Sequence, residues 1–344
     1  MKRVATLLVG LLAAACAGSR PASTLPNGAW GRVTATIDLG RTAGTPVYGD
    51  GFLWVPDIDH GALWKLDPGA DRVVAHITIG NRQVLLSNHC GPPTVHAYAI
   101  GNFYIRACNL PPSVAVTRGS VWVIRTDNDS LVRLDPVTDR VEATVPIGVA
   151  GWDLTASATD VWVTSYFANA LVHVDAVTNR VVATLTGFPD GPVGLAAGSG
   201  SVWVASSRTA NLVKVDARTD QIVDVIPLHR GPLYLLSRPL PVVIAYGSVW
   251  TRLEYYNQVL RIDPATDKVI AQIPVETFYG QDGLDGFGVG DGHLWVSGLT
   301  IEEIDPQRNA VVRHLPLTGI TLTFGGGSLW ALNIGGPLYK IRPS

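Results

Sequence analysis

Sulfur and charge are both scarce in this 344-residue chain: one Met, three Cys, and charged residues at 16% against 47% hydrophobic. No Cys-x-x-C pair occurs, which argues against a zinc ribbon, and three cysteines are too few for a disulfide-dense scaffold. No Gly-Lys-Ser or Gly-Lys-Thr follows any glycine-rich turn, so phosphate loops are excluded. No Gly-x-Ser-x-Gly is present, which removes the usual nucleophile elbow. Plentiful instead are 36 Gly and 23 Pro, a composition suited to short strands joined by tight turns and poor for helices.

The chain opens Met1-Lys2-Arg3 and continues with an apolar run from Val4 to Ala15, the charged-then-apolar layout of a secretory signal. That run is too short to span a bilayer. Leu12-Ala13-Ala14-Ala15-Cys16 resembles a bacterial lipobox, which implies lipidation of Cys16; ordinary cleavage near Ala15 or Ala17 is the alternative. The expected division is a signal over 1–15, a flexible tether over 16–30 and one folded unit over 31–344. The protein is thus expected to be exported to the cell envelope and held at the membrane only by a lipid anchor. Cleavage would remove Lys2 and Arg3 from the 26 basic residues and leave the 28 acids, for a net charge of −4. No basic field for nucleic acid is present. Cys90 and Cys108 share one segment, and in an oxidising compartment they are expected to form a disulfide.

The strongest signal is a repeat. Its clearest copy, GPVGLAAGSGSVWVASSRTANLVKVDARTDQIVDVIPL over 191–228, reads as four strands, A to D: Val193 to Ala197, Ser201 to Ser206, Asn211 to Asp216 and Gln221 to Leu228. The second strand carries a Trp in every copy: Trp54, Trp122, Trp162, Trp203, Trp250, Trp295 and Trp330. A basic spacing of about 40 residues matches a four-stranded propeller blade. The expected fold is therefore an all-β, seven-bladed β-propeller with antiparallel four-stranded blades. The last copy lacks strand D, while Gly31 to Gly40 matches the D pattern. Pairing of that first segment with the last copy would close the ring and leave no open edge.

The repeating residues read as structure before chemistry. One indole per blade supplies large apolar area between neighbouring sheets. The Asp that opens each C to D turn, as in Asp135 to Asp139 and Asp263 to Asp267, bonds its own backbone, and the Pro that follows presets φ.

Function is expected elsewhere. Antiparallel strands put the B to C and D to A connections on one face of the ring, here the loop face, and the A to B and C to D turns on the other, the turn face. The insertions Asn81 to Leu110, His229 to Pro239 and Glu276 to Gly283 all fall on the loop face, which is therefore the expected binding surface. Its ligand-binding candidates are Asp57 and His60 in blade 1, Arg125 and Asp127 in blade 2, and Tyr166 in blade 3. Arg208 in blade 4 and Arg252, Glu254 and Tyr255 in blade 5 complete the set. Arg can clamp an anionic group with two parallel bonds, and Tyr offers area with a polar tip. No catalytic residue and no metal ligand stands out.

The unit GSVWVASSRTANLVKVDARTDQIVDVIPL resembles the repeats of YVTN-type and virginiamycin B lyase-like (streptogramin lyase-like) propellers. The resemblance covers 31–344 and implies the propeller fold. It also implies a lyase in which a His base, glutamates and Mg²⁺ open a cyclic depsipeptide, with a Glu-x-His pair on the binding face. No Glu-x-His occurs here; His293 falls in an A to B turn and His173 in a C strand. Lactonase-like propellers hold a divalent cation with Glu, Asn and Asp, which Glu254, Asn128 and Asp127 could imitate. The leading expectation is a monomeric binding module without a cofactor, recognising a small molecule, a peptide or an envelope protein. A lyase or hydrolase assisted by Mg²⁺ or Ca²⁺ is the alternative.

Overall fold

The computed structural model describes residues 31–40, 43–57, 60–80, 113–125, 128–189, 191–228, 239–253, 256–276, 286–298, 300–317, 321–332 and 336–343, together with the backbone of 97–100 and 103–106. Seven four-stranded antiparallel sheets are arranged as a β-propeller. Blades 1 to 6 span 47–78, 114–146, 153–185, 192–227, 239–274 and 287–315. Blade 7 takes Thr321–Gly325, Ser328–Leu332 and Leu338–Ile341 from the end of the chain and Val33–Ile37 from its beginning. The expected closure is thus observed: Ile37 lies opposite Leu338 and Val33 opposite Ile341. Two backbone bonds extend the seam, from Gly31 N–H to the Arg342 carbonyl (3.1 Å) and from Arg342 N–H to the Arg32 carbonyl (3.0 Å). The A strands of successive blades touch one another in a closed cycle, so they form the inner wall and the D strands the rim.

The core is divided among the blade interfaces. Each of the seven tryptophans is buried in a cluster that joins its own blade to the next. Trp54 and Leu63 of blade 1, for example, pack with Val121, Val123 and Val132 of blade 2. The B strands are buried on both sides, as at Val161 to Ser165, whereas D strands such as Arg72–Thr78 alternate exposed and half-buried. That gradient from hub to rim is why the B and C strands are rich in Val and Leu and the D strands mix them with charge.

The C to D turns follow one design. Asp135 Oδ1 accepts the N–H groups of Val137 and Thr138, and Asp216 Oδ1 those of Arg218 and Thr219. These bonds hold the carboxyls of Asp67, Asp135, Asp175, Asp216, Asp263 and Asp305 below the usual range. Four residues on, Asp71, Asp139, Asn179, Asp220, Asp267 and Asn309 take φ between 52° and 58°, a region that Asn and Asp enter more readily than most residues.

These same side chains lock the blades together. Opposite each Trp, strand C carries Lys65, Arg133, His173, Lys214, Arg261 or Lys340. Each reaches across to the C to D turn of the next blade. Lys214 Nζ bonds the Pro264 carbonyl at 2.9 Å and Asp267 Oδ1 at 2.7 Å. Lys65, Lys340 and Arg261 repeat this with Pro136 and Asp139, Pro68 and Asp71, and Pro306 and Asn309. Arg133 reaches the Ala176 carbonyl and Asn179, and His173 reaches Asp220. The cations also lie over the indoles, Lys214 at 4.9 Å from the Trp203 ring. Blade 6 alone departs, with Glu303 in this position. The reason is the seam: blade 7 is built from the two ends of the chain and has no C to D turn to receive a cation. Glu303 instead meets His293 Nδ1 at 3.2 Å and Arg313 Nε at 3.7 Å, and burial raises its carboxyl above the usual range.

Strand limits differ from expectation by a residue or two. Strand D of blade 4 ends at Pro227 instead of Leu228, and the last strand A starts at Thr321 instead of at the expected Gly319. His293 begins a B strand instead of lying in the turn before it. Within the first insertion a two-stranded hairpin, Ala97–Ile100 with Phe103–Arg106, adds to the blades. Cys16, Cys90 and Cys108 lie outside the described residues.

Candidate functional site

The loop face carries three groups of side chains that depart from the repeat. The first joins blades 3 and 4. Tyr166 follows strand B of blade 3 (Asp160–Ser165) and Arg208 occupies the B to C connection of blade 4. Arg208 Nε donates to Tyr166 Oη at 3.0 Å, and its guanidinium lies 4.7 Å from the Tyr166 ring centre. Trp152, just ahead of strand A of blade 3, packs on Tyr166 with ring centres 4.9 Å apart. Phe167 meets both rings edge-on. The floor is backbone: Gly191 N–H donates to Asn169 Oδ1 (3.0 Å) and the Gly191 carbonyl accepts from Ser207 N–H (2.8 Å). Gly191 has φ +80°, and a Cβ there would stand 3.0 Å from both Ser207 Oγ and a Tyr166 ring carbon. The position therefore admits glycine far better than any other residue.

Asp153 adjoins this group on the innermost strand. Ser113 Oγ of blade 2 donates to Asp153 Oδ1 at 2.6 Å, and burial pushes the Asp153 carboxyl up despite that bond. Ladder register places Gly286 and Thr321 at the same level in blades 6 and 7, so Asp153 departs from small or uncharged neighbours.

The second group lies between blades 5 and 6. Arg252, expected in a loop, sits inside strand B (Ser248–Leu253) and is buried; its Nη1 donates to the Ser297 carbonyl at 2.8 Å. Glu302 is 1% exposed, at a position held by Trp64, Val132, Val172, Val213, Leu260 and Tyr339 in the other blades. It accepts the Glu276 N–H at 2.8 Å and faces His314 Nδ1 at 3.4 Å. Burial raises its carboxyl, and the charges of His314 and Arg252 only partly offset that.

The third group is in blade 1. Asp57 closes strand B (Phe52–Asp57), buried, with both carboxylate oxygens 2.9 Å from His60 Nδ1 and one of them 2.8 Å from His76 Nε2. Arg125 ends strand B of blade 2, half-buried, opposite Ser130. Asp127, Glu254 and Tyr255 lie outside the described residues. Among the described residues, no group of three or more His, Cys, Asp or Glu is arranged to hold a metal ion.

Of the expected residues, then, the structure joins Tyr166 with Arg208 and Asp57 with His60, and places Arg252 in the interior. Trp152, Asp153, His76 and Glu302 had been missed. Trp152 is nevertheless visible as a Trp outside the B-strand position, and Glu302 as an acid where the repeat is hydrophobic or aromatic.

Fold and site together define a seven-bladed propeller with three non-repeating groups of side chains on its loop face. Comparison with known proteins agrees on the fold. Hydrazine synthase of Kuenenia stuttgartiensis matches with TM-score 0.65 at 14% identity, over 90% of this chain and 97% of that one. Virginiamycin B lyase from Staphylococcus aureus matches with TM-score 0.68 at 11% identity, over 90% and 97%. A streptogramin B lyase matches with TM-score 0.65 at 13% identity, over 91% and 96%. At such identities the likeness concerns architecture. No family model and no curated protein sequence matches the chain.

Proposed function

We propose that this protein is an exported, lipid-anchored and monomeric propeller that acts as a binding module through its loop face. The carrying observation is the group formed by Trp152, Tyr166, Phe167 and Arg208 on that face. Aromatic walls beside a guanidinium suit a small molecule or short peptide bearing a flat or anionic group. The reading includes a signal over 1–15, lipidation at Cys16 and no bound nucleic acid.

The test is a thermal-shift screen of the mature protein against aromatic carboxylates and short peptides, repeated with Arg208→Ala. A ligand that raises the melting temperature of the parent and not of the variant supports the reading. Ligands that shift both equally place recognition elsewhere. The fold likeness to two lyases keeps a metal-assisted lyase or hydrolase as the second reading; calorimetric binding of Mg²⁺ or Ca²⁺ to the unliganded protein would favour it.

A further inference from the structure

Blade 1 differs from the other blades in a way that recognition by the Arg208 group leaves unexplained. At the D-strand position of His76, the ladder places Thr144, Thr184, Val225 and Gln272 in blades 2 to 5; blade 6 has His314 there, facing the buried Glu302, but only blade 1 sets two imidazoles on one buried acid. At the end of strand B, where Asp57 stands, blades 3, 4 and 5 have Ser165, Ser206 and Leu253. A carboxylate 1% exposed is costly to keep unless it is paired, and both of its partners here are imidazoles.

A carboxylate only accepts hydrogen bonds, so the nitrogen that each neutral ring turns to Asp57 carries the proton. That is Nδ1 of His60 and Nε2 of His76, opposite tautomers fixed by one buried acid. The lone pairs are left on His60 Nε2 and His76 Nδ1. Neither ring is enclosed, with side chains 50% and 44% exposed. Both are held in orientation: His76 lies flat against Trp64 with ring centres 5.6 Å apart, and the two imidazoles meet edge to face at 6.1 Å. The Asp57 bond to the His60 backbone N–H (3.3 Å) accounts for the turn, but not for the second histidine.

We propose that His60, oriented by Asp57, is a general base on the loop face, acting on small activated esters. Buried acid, tautomer-fixed imidazole and an outward Nε2 form the arrangement that removes a proton from an attacking water. Water adds to the ester carbonyl carbon while one of its protons passes to His60 Nε2. The carbon–oxygen bond to the leaving group then breaks, and the electron pair departs with that oxygen. The acid retains the other water proton, and the imidazolium returns its proton to solvent. Asp57 is a positioning residue and His76 a second acceptor beside it. This inference is independent of the Arg208 group.

The test uses the mature protein with p-nitrophenyl acetate as probe, alongside NMR of the histidine side-chain nitrogens. His60→Gln changes an exposed ring, so the fold is retained, and p-nitrophenolate release is expected to fall about a hundredfold. Asp57→Asn can offer an N–H to His60 and reverse its tautomer; the rate should fall similarly and its pH profile should change. NMR should find His60 as the Nδ1–H and His76 as the Nε2–H form. Should Asp57→Asn fail to fold, His60→Gln and the tautomer assignment in the parent still decide. An unchanged rate in His60→Gln, or His60 found protonated on Nε2, overturns the proposal.

Discussion

The two faces of this ring are built on opposite logic. On the turn face, one solution is repeated at six interfaces: a strand-C Lys, Arg or His reaches the next blade's turn, whose Asp is bonded to its own backbone. The exception, Glu303, falls where the chain ends remove the turn. On the loop face a backbone bond repeats, as from Leu228 N–H to the Ala210 carbonyl and from Val275 N–H to the Asn257 carbonyl, but the buried charges and the aromatic stack described there do not. Buried Asp57, Arg252 and Glu302 and the Trp152, Tyr166 and Arg208 stack each occur once. In a protein made of copies, a costly residue that appears in a single copy needs a reason outside the fold. The repeat itself thus supplies an internal standard for telling stabilising residues from the rest.

The largest expected effect tests what both faces depend on, the seam. Deleting 31–40 removes the strand paired with Leu338–Ile341 and the buried side chains of Ile37 and Leu39. Lost burial alone is worth at least about 3 kcal/mol. A large fall in melting temperature is expected by calorimetry; a truncated protein that melts like its parent would show that the ring closes otherwise. Next comes the turn face. Lys214→Met removes charge-assisted bonds to Pro264 and Asp267 that are partly open to solvent, and should cost about 1–2 kcal/mol in urea denaturation. Glu303→Lys should also destabilise, because that interface has no turn to take up the charge.

Most of the architecture was legible. Tryptophans at a spacing near 40 announce blades because a period-2 pattern with one large residue per sheet has few other uses. Gly31 to Gly40 announces closure because it is a D strand without a blade. The cation lock was also present, as Lys65, Arg133, Lys214, Arg261 and Lys340 at matching positions, yet its meaning needs the neighbouring blade's turn in place. The non-repeating groups of the loop face were harder to see. Tyr166 and Arg208 are 42 residues apart and meet through hydrogen bonding between blades. Trp152 lies just ahead of an inner strand and His76 within an outer one, and local pattern ties neither to a loop. Asp57 and His60, three residues apart, were visible as a pair, but their shared partner was not.

Acidification should act with opposite sign on the turn aspartates and on Glu302. The six turn carboxyls have lowered folded values, so their contribution is present above the ordinary carboxylate range and is lost as pH falls through those values. Glu302 has a raised folded value: its ionised form is disfavoured in the fold, a cost that is absent at low pH and grows as pH rises through the carboxylate range. Glu302→Gln should therefore raise the melting temperature modestly at pH 7.5, with the gain vanishing toward pH 4. A gain that persists in acid would assign the effect to packing.

The smallest expected effect on stability is also the sharpest statement of the comparison. Arg208, half-buried, hydrogen-bonds Tyr166 and covers its ring on the loop face, outside the strand-C to turn lock. Arg208→Ala should therefore change unfolding free energy by less than about 1 kcal/mol, while Lys214→Met in the same blade costs more. If Arg208 instead proves as costly to remove as Lys214, the loop face would be stabilising like the turn face. Non-repetition would then lose its value as a marker of recognition in this ring.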